Sequence, residues 1–320
     1  MDLDIVFLGT SASAPTARRG TSSLLVRRGG DRLLFDCGEG TQRQLLRSSV
    51  GLVDLEEIFL THLHADHYLG LPGMLKTFSL RTRDTPLRIY GPPGLEDLFD
   101  ALRRIFGRVT YRIVLEELRA GETLERDGYQ IQAIPVRHGV PAIGYALVEE
   151  ERPGRFDVTV ADSLGVPSGP ERGALQRGES VTLADGTTVT PGQLVGPARA
   201  GRTVVYTGDT SPAEAVGLLF PGADVLIHEA TFGEEERDRA AETGHSTARQ
   251  AAEIARAAGV ALLALTHISP RHLPSELLAE AREVFPATIL PRDFDTIEIP
   301  FRERGKPELV KGGALPDGAA

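Results

Sequence analysis

The 320-residue sequence has a single cysteine, Cys37, no tryptophan, and no apolar run approaching the length of a membrane-spanning helix. One thiol cannot form an intrachain disulfide or supply the paired thiolates of a finger-type zinc site, so any metal must be held by His and carboxylate. The start, Met1-Asp2-Leu3-Asp4, is acidic where a secretory signal would be basic and then apolar. With no spanning run either, the expectation is a cytoplasmic protein with no membrane partner. Net positive charge is also lacking: 35 Lys+Arg against 45 Asp+Glu gives −10, which argues against a protein that coats nucleic acid non-specifically. What remains is ordinary for a compact enzyme, with 41% hydrophobic and 25% charged residues and enough chain to bury a large core.

Short β-branched apolar runs recur along the chain: Ile5 to Leu8, Leu33 to Phe35, Ile58 to Leu60, Ile131 to Val136, Val204 to Tyr206, Val225 to Ile227 and Leu262 to Leu265. Each is closed by Gly, Asp, Thr or His instead of running on as a helix, so each reads as a strand. Helical patterns lie between some of them, notably Gly94 to Phe106 and the alanine-rich Thr247 to Ala258, for which Ser246 is the expected N-cap. The mixture predicts a layered α/β fold.

From 152 to 199 proline and glycine repeatedly break any period, which suggests a protruding functional arm rather than a packed element. A disordered linker between two domains is the competing reading, but candidate site residues fall on both sides, so the flanks must fold together. The expected division is one domain from 1–151 and 200–305, a flexible arm at 152–199, and a frayed tail at 306–320.

Directly after the run Ile58 to Leu60 comes Thr61-His62-Leu63-His64-Ala65-Asp66-His67. Alternation puts His62 and His64 on one side of an extended segment, and the following turn brings Asp66 and His67 to a second position nearby. Imidazole and carboxylate suit Zn²⁺, and two such ions side by side form a phosphodiester-cleaving clamp. Four donors cannot complete two sites. Three more stand at exits from β-runs: His138, Asp209 and His267. The expected sets are His62, His64 and His138 for one ion, and Asp66, His67 and His267 for the other, with Asp209 bridging.

This His-x-His-x-Asp-His run with a later His, Asp and His resembles the metallo-β-lactamase superfamily. The resemblance implies a four-layer αβ/βα sandwich with two metals at one edge, but does not choose among lactams, thioesters, lactones and phosphodiesters. Further segments are similar to the ribonuclease Z family: Phe7 to Thr16, Phe35 to Gln42, His228 to Phe232, Gly244 to Thr247 and Thr266 to Arg271. That likeness implies an endonuclease trimming the 3′ end of precursor transfer RNA, with two Zn²⁺ per subunit, a homodimer, and no DNA substrate. It implies catalytic roles for Asp66, which holds or deprotonates the attacking water, and for His245, a proton donor to the departing 3′ oxygen with Glu229 as its acidic partner. Products would be a 3′-hydroxyl transfer RNA and a 5′-phosphate trailer.

Phosphate contacts are expected from Gly38 to Gln42, where a glycine turn leads into a helical stretch, and hence from Glu39, Gly40 and Thr41. Thr10, Ser13 and Arg271 are further candidates. The segment Pro153 to Arg199 resembles the family's RNA-gripping arm, with Arg155, Arg172 and Arg177 as its candidate contacts. It departs in charge: Arg152, Arg155, Arg172, Arg177 and Arg199 are matched by Asp157, Asp162, Glu171, Glu179 and Asp185, with no Lys. A neutral arm gives RNA little electrostatic attraction. The competing expectation is therefore a small-molecule phosphodiesterase or arylsulfatase-like hydrolase of the same fold.

Overall fold

The computed structural model describes residues 1–52, 55–212 and 218–313. The first sheet contains β1 (Leu3–Gly9), β2 (Ser23–Arg28), β3 (Asp31–Phe35), β4 (Glu57–Phe59), β5 (Leu87–Gly91), β6 (Ile113–Glu117), β16 (Thr296–Glu298) and β17 (Glu308–Val310), in the order β17-β16-β1-β2-β3-β4-β5-β6. The second contains β7 (Thr123–Arg126), β8 (Tyr129–Pro135), β9 (Ile143–Glu149), β12 (Thr203–Tyr206), β13 (Val225–Glu229), β14 (Leu262–Thr266) and β15 (Thr288–Ile289), in the order β15-β14-β13-β12-β9-β8-β7. β3 to β6 pair in parallel, as do β12 to β15, and parallel neighbours need crossover connections, which the helices supply.

The strands read as unbroken apolar runs because both their faces are buried. Along β1, Leu3, Ile5 and Phe7 point between the sheets while Val6 and Leu8 point to the helices on the outer face. β13 does the same, with Val225 and Ile227 inside and Leu226 towards the helix Ala248–Ala258. Between the sheets, Phe35, Phe59, Tyr90, Tyr145 and Tyr206 contact one another ring to ring. The outer layers are α1 (Thr41–Arg47), α2 (Ala65–Tyr68), α3 (Leu71–Leu80) and α4 (Leu95–Phe106) on one side, and helices Ala248–Ala258 and Pro274–Val284 on the other. The expected four-layer sandwich is what forms. Among the described residues no helix is long and apolar enough to cross a membrane.

Three expectations need correction. The helix Ala248–Ala258 is capped by Thr247, whose hydroxyl accepts from the Gln250 N–H while the Gln250 side chain accepts from the Thr247 N–H. Ser246 instead donates to the Thr210 carbonyl at 2.7 Å. The tail does not fray at 306, because Glu308–Val310 forms β17 on the sheet edge; residues 314–320 lie outside the described residues. Nor is the arm featureless. It holds helices Val158–Ser163 and Pro170–Gln176 and a small hairpin of β10 (Val181–Thr182) and β11 (Thr188–Val189), packed on a core of Ala161, Val166, Leu175, Val189 and Leu194. Its two ends are pinned together: Arg152 and Arg199 exchange backbone hydrogen bonds of 2.8 and 2.9 Å, and both guanidinium groups reach Glu303.

Where β2 and β9 end, Glu149 accepts from Arg28 at 2.8 Å and from the buried Arg202 at 2.7 Å. Burial opposes ionisation of Glu149, but the hydrogen bonds and charge of Arg202, then Arg28, outweigh it and hold the carboxyl below its usual range. Its stabilisation is present above the unfolded-state pKa of about 4.3 and is lost as pH falls through the lower folded value. A Glu149→Gln protein should lose about 3 kcal/mol in urea unfolding at neutral pH, since two buried guanidinium groups are left without their anion. That deficit should narrow below about pH 4; a deficit constant from pH 7 to 3 would refute the linkage.

Candidate metal centre

The site lies where the strands of both sheets end. Asp36 follows β3, Thr61 and His62 follow β4, His138 follows β8, Asp209 follows β12, Glu229 closes β13 and His267 follows β14. Carboxyl ends of parallel strands are where an open α/β sheet leaves a crevice. The short α2 turns Asp66 and His67 inward, and the φ of +60° at Gly208 lets the chain bend to present Asp209; a Cβ there would strike Thr61 at 2.7 Å.

The predicted ligands converge. His64 Nδ1 is 3.1 Å from both His62 Nε2 and His138 Nε2. His267 Nε2 is 3.3 Å from Asp66 Oδ2, which lies 3.7 Å from His67 Nε2. Asp209 Oδ2 stands between the groups, 3.3 Å from His267, 3.5 Å from His67 and 3.7 Å from His62. His67 Nε2 and Asp209 Oδ1 are buried with no hydrogen-bond partner among the described residues. Ring nitrogens whose lone pairs face one another around a carboxylate repel unless a cation, or a shared proton, lies between them. Burial and the His67 charge push His62 well below its usual value, so it presents a lone pair, whereas burial of His67 is outweighed by Asp209 and Asp36. The donor set fits divalent metal ions.

Each imidazole is held through its other nitrogen. His138 Nδ1 donates to the Gly244 carbonyl at 2.9 Å; Gly244 has φ +75°, and a Cβ there would sit 3.2 Å from that nitrogen. His67 Nδ1 donates to Asp36 at 2.9 Å, and the same carboxylate accepts from Tyr206 OH and the Thr61 N–H, each at 2.8 Å. His267 Nδ1 meets the Thr231 hydroxyl at 2.9 Å, and Thr231 donates to Glu229 at 2.5 Å. None of Asp36, Thr61, Tyr206 and Thr231 was singled out from sequence. Asp36 had the signal that exposed the ligands, an acidic residue at the exit of a β-run.

His245 lies beside the ligands, its ring 5.1 Å from His138 and 5.5 Å from His267. Its Nδ1 is 2.8 Å from Glu229 Oε1, so the expected pairing forms. Burial lowers the His245 pKa, but the Glu229 charge and hydrogen bond outweigh it and raise it to about 9. Ser13 also reaches the site, through its backbone: its N–H donates to Asp66 Oδ2 at 2.8 Å.

Other candidates are placed differently. Thr10 is wholly buried, donating to Asp293 at 2.7 Å, so it has no face for a phosphate. The Thr41 hydroxyl is likewise buried and bound to the Gly38 carbonyl at 2.8 Å, which leaves only Glu39 and Gly40 exposed at that turn. Arg271 pairs with Glu236 at 3.0 and 3.2 Å above the Phe232 ring, so a phosphate must compete for it. In the arm, Arg172 is bound to Asp162 and Arg177 to Glu179, while Arg155 is exposed and has no side-chain partner among the described residues.

The metallo-β-lactamase superfamily model matches residues 16–267. A ribonuclease Z from Myxococcus xanthus is 47% identical over 305 residues, 94% of this chain and 99% of its own length. One from Haloferax volcanii is 46% identical over 308 residues, 95% of this chain and 97% of its own. The crystal structure of the short form of human tRNase Z superposes with a TM-score of 0.67 at 29% identity, covering 93% of this chain and 99% of that one. The metallo-β-lactamase fold protein YhfI of Bacillus subtilis gives a TM-score of 0.68 at 21% identity, covering 93% of this chain and all of that one, and shows the fold alone. With its strand-end cluster of His and Asp and near-full-length relatives of this identity, the chain belongs to the ribonuclease Z family of the metallo-β-lactamase superfamily.

Proposed function

We propose that this chain is a metal-dependent endoribonuclease that cuts precursor transfer RNA just 3′ of the discriminator nucleotide, using two Zn²⁺ per subunit, as a cytoplasmic homodimer. The observation that carries the reading is the convergence of seven donors at the strand ends, with His67 Nε2 and Asp209 Oδ1 buried and unpaired among the described residues, beside a His245–Glu229 pair. His62, His64 and His138 would hold one cation, Asp66, His67 and His267 the other, and Asp209 both. When bound, the cations supply an activated water and neutralise the phosphate oxygens around phosphorus.

The chain's own residues do the rest. Asp66 is aimed by the Ser13 N–H and sits where it can orient the attacking water. Glu229 fixes the His245 tautomer through Nδ1, so that Nε2 would give its proton to the departing 3′ oxygen, leaving a 3′-hydroxyl and a 5′-phosphate. The arm at 152–199 would grip the RNA away from the cut. Since four of its five arginines are tied in ion pairs, Arg155 is the one with its charge to spare. Those committed arginines are what favour the competing small-molecule phosphodiesterase reading, and the high identity to named ribonucleases Z weighs against it.

Mapping the 3′ end of a cleaved precursor tests the proposal. The intact protein should cut after the discriminator, and a protein lacking 155–195 should lose precursor cleavage yet still hydrolyse an aryl phosphodiester. The pinned ends Arg152 and Arg199 make that deletion a short closure. No cut in any transfer RNA precursor would sink the RNA reading.

A further inference from the structure

The two cation sites are built from unequal materials. In the His62–His64–His138 site every individual ligand is an imidazole, and among the described residues none of the three rings hydrogen-bonds a carboxylate directly. His138 has the Gly244 carbonyl, His62 Nδ1 meets the Thr61 hydroxyl at 3.1 Å, which donates on to Asp36 at 3.0 Å, and His64 is exposed with its Nδ1 given to the cluster. In the Asp66–His67–His267 site one ligand is a carboxylate, and both imidazoles end on a buried anion. His67 leans on Asp36, and His267 reaches Glu229 through the Thr231 hydroxyl, a chain of two hydrogen bonds of 2.9 and 2.5 Å. Asp36 and Glu229 are both fully buried.

An anion behind a ligating imidazole fixes its tautomer and raises its basicity, and removing such a partner costs about 10–100-fold in metal affinity. The shared ligand tilts the same way, since Asp209 Oδ2 lies 3.3 and 3.5 Å from His267 and His67 but 3.7 Å from His62. Whichever cation enters first partly neutralises Asp209. The later one then meets three neutral rings and an anion already in use.

We infer that the Asp66–His67–His267 site is the tighter of the two and fills first, and that Asp36 and Thr231 are the positioning residues that make it so. The inference rests on the two-cation reading above. Asp36 does this from between the sheets: it belongs to the end of β3, and Tyr206, on β12 of the other sheet, holds its carboxylate at 2.8 Å. Tyr206 therefore tunes a cation it does not touch. Thr231 is a hydroxyl with two tasks, accepting from His267 and donating to Glu229, which a valine of the same shape cannot perform.

The test is titration of the metal-free protein with Zn²⁺ against a chromophoric chelator, with unfolding temperature followed in parallel. The wild type should show two steps separated by at least about tenfold. Thr231→Val should weaken the tight step about tenfold or more while leaving the loose step within about twofold. Thr231→Ser should restore it. Tyr206→Phe should weaken the tight step more than the loose one, since Asp36 touches His67 directly but His62 only through Thr61. His64→Ala, which removes a ligand of the other site, should abolish the loose step and spare the tight one. Two equal steps in the wild type, or a Thr231→Val protein whose melting temperature falls while both steps stay put, would overturn the inference and leave the metal centre standing. Failure to bind Zn²⁺ at all would overturn both.

Discussion

An Asp209→Ala protein should lose at least one of its two cations and at least about a thousandfold in precursor cleavage, several kcal/mol of charge stabilisation having gone. The size of the effect follows from where the carboxylate sits. Its Oδ2 lies 3.3 to 3.9 Å from nitrogens of His267, His67, His62 and His245, and its Oδ1 is buried without a partner among the described residues. Burial would favour the protonated acid, but the neighbouring charges of His267 and His67 hold the carboxyl well below its usual value. Alanine leaves those imidazoles facing an unfilled space with no anion to balance a cation. Asp209→Asn separates the two contributions, since it keeps one ligating oxygen and loses the charge. Metal content of the purified proteins and single-turnover cleavage are the measurements. An Asp209→Ala protein with two cations and near-normal turnover would remove the bridging assignment.

The ligands were legible because they are dense or because they share a context. Four donors within His62 to His67 can hardly be a core, and His138, Asp209 and His267 each end a β-run, so a reader who places the strands also places them. The groups that hold the ligands were not legible in the same way. Asp36 and Tyr206 are 170 residues apart, and only the facing of two sheets joins them. Thr10 fails as a phosphate contact for a related reason, since its partner Asp293 is 283 residues away and no local pattern announces it. The arm misled through its glycines and prolines. Its helices have six and seven residues, too short for a hydrophobic period to show, and its core is five apolar side chains scattered from Ala161 to Leu194. Its charge balance was countable from the sequence, yet the pairing of Arg152 and Arg199 with Glu303, outside the arm, was not.

The second large effect is expected at His245. His245→Ala should lower kcat for precursor transfer RNA by about 10²–10⁴ while the cations stay bound, because the residue moves a proton and ligates nothing in the scheme above. Glu229 positions it: Oε1 accepts from His245 Nδ1 and from the Thr210 N–H, each at 2.8 Å, so the ring cannot swing without breaking a buried bond. Departure of the ribose 3′ alkoxide from phosphorus needs that proton, whereas departure of p-nitrophenolate does not. The two substrates must therefore respond differently. On an aryl phosphodiester the His245→Ala protein should lose no more than about tenfold, since leaving-group protonation then contributes little to the barrier. Equal losses on both substrates would mean that His245 acts through the metal centre or through substrate placement, and the proton-donor role would have to be given up. Glu229→Gln should fall between, with the ring in place but its imidazolium less favoured. Because Thr231 ties Glu229 to His267 as well, Glu229→Gln, unlike His245→Ala, should also loosen a cation.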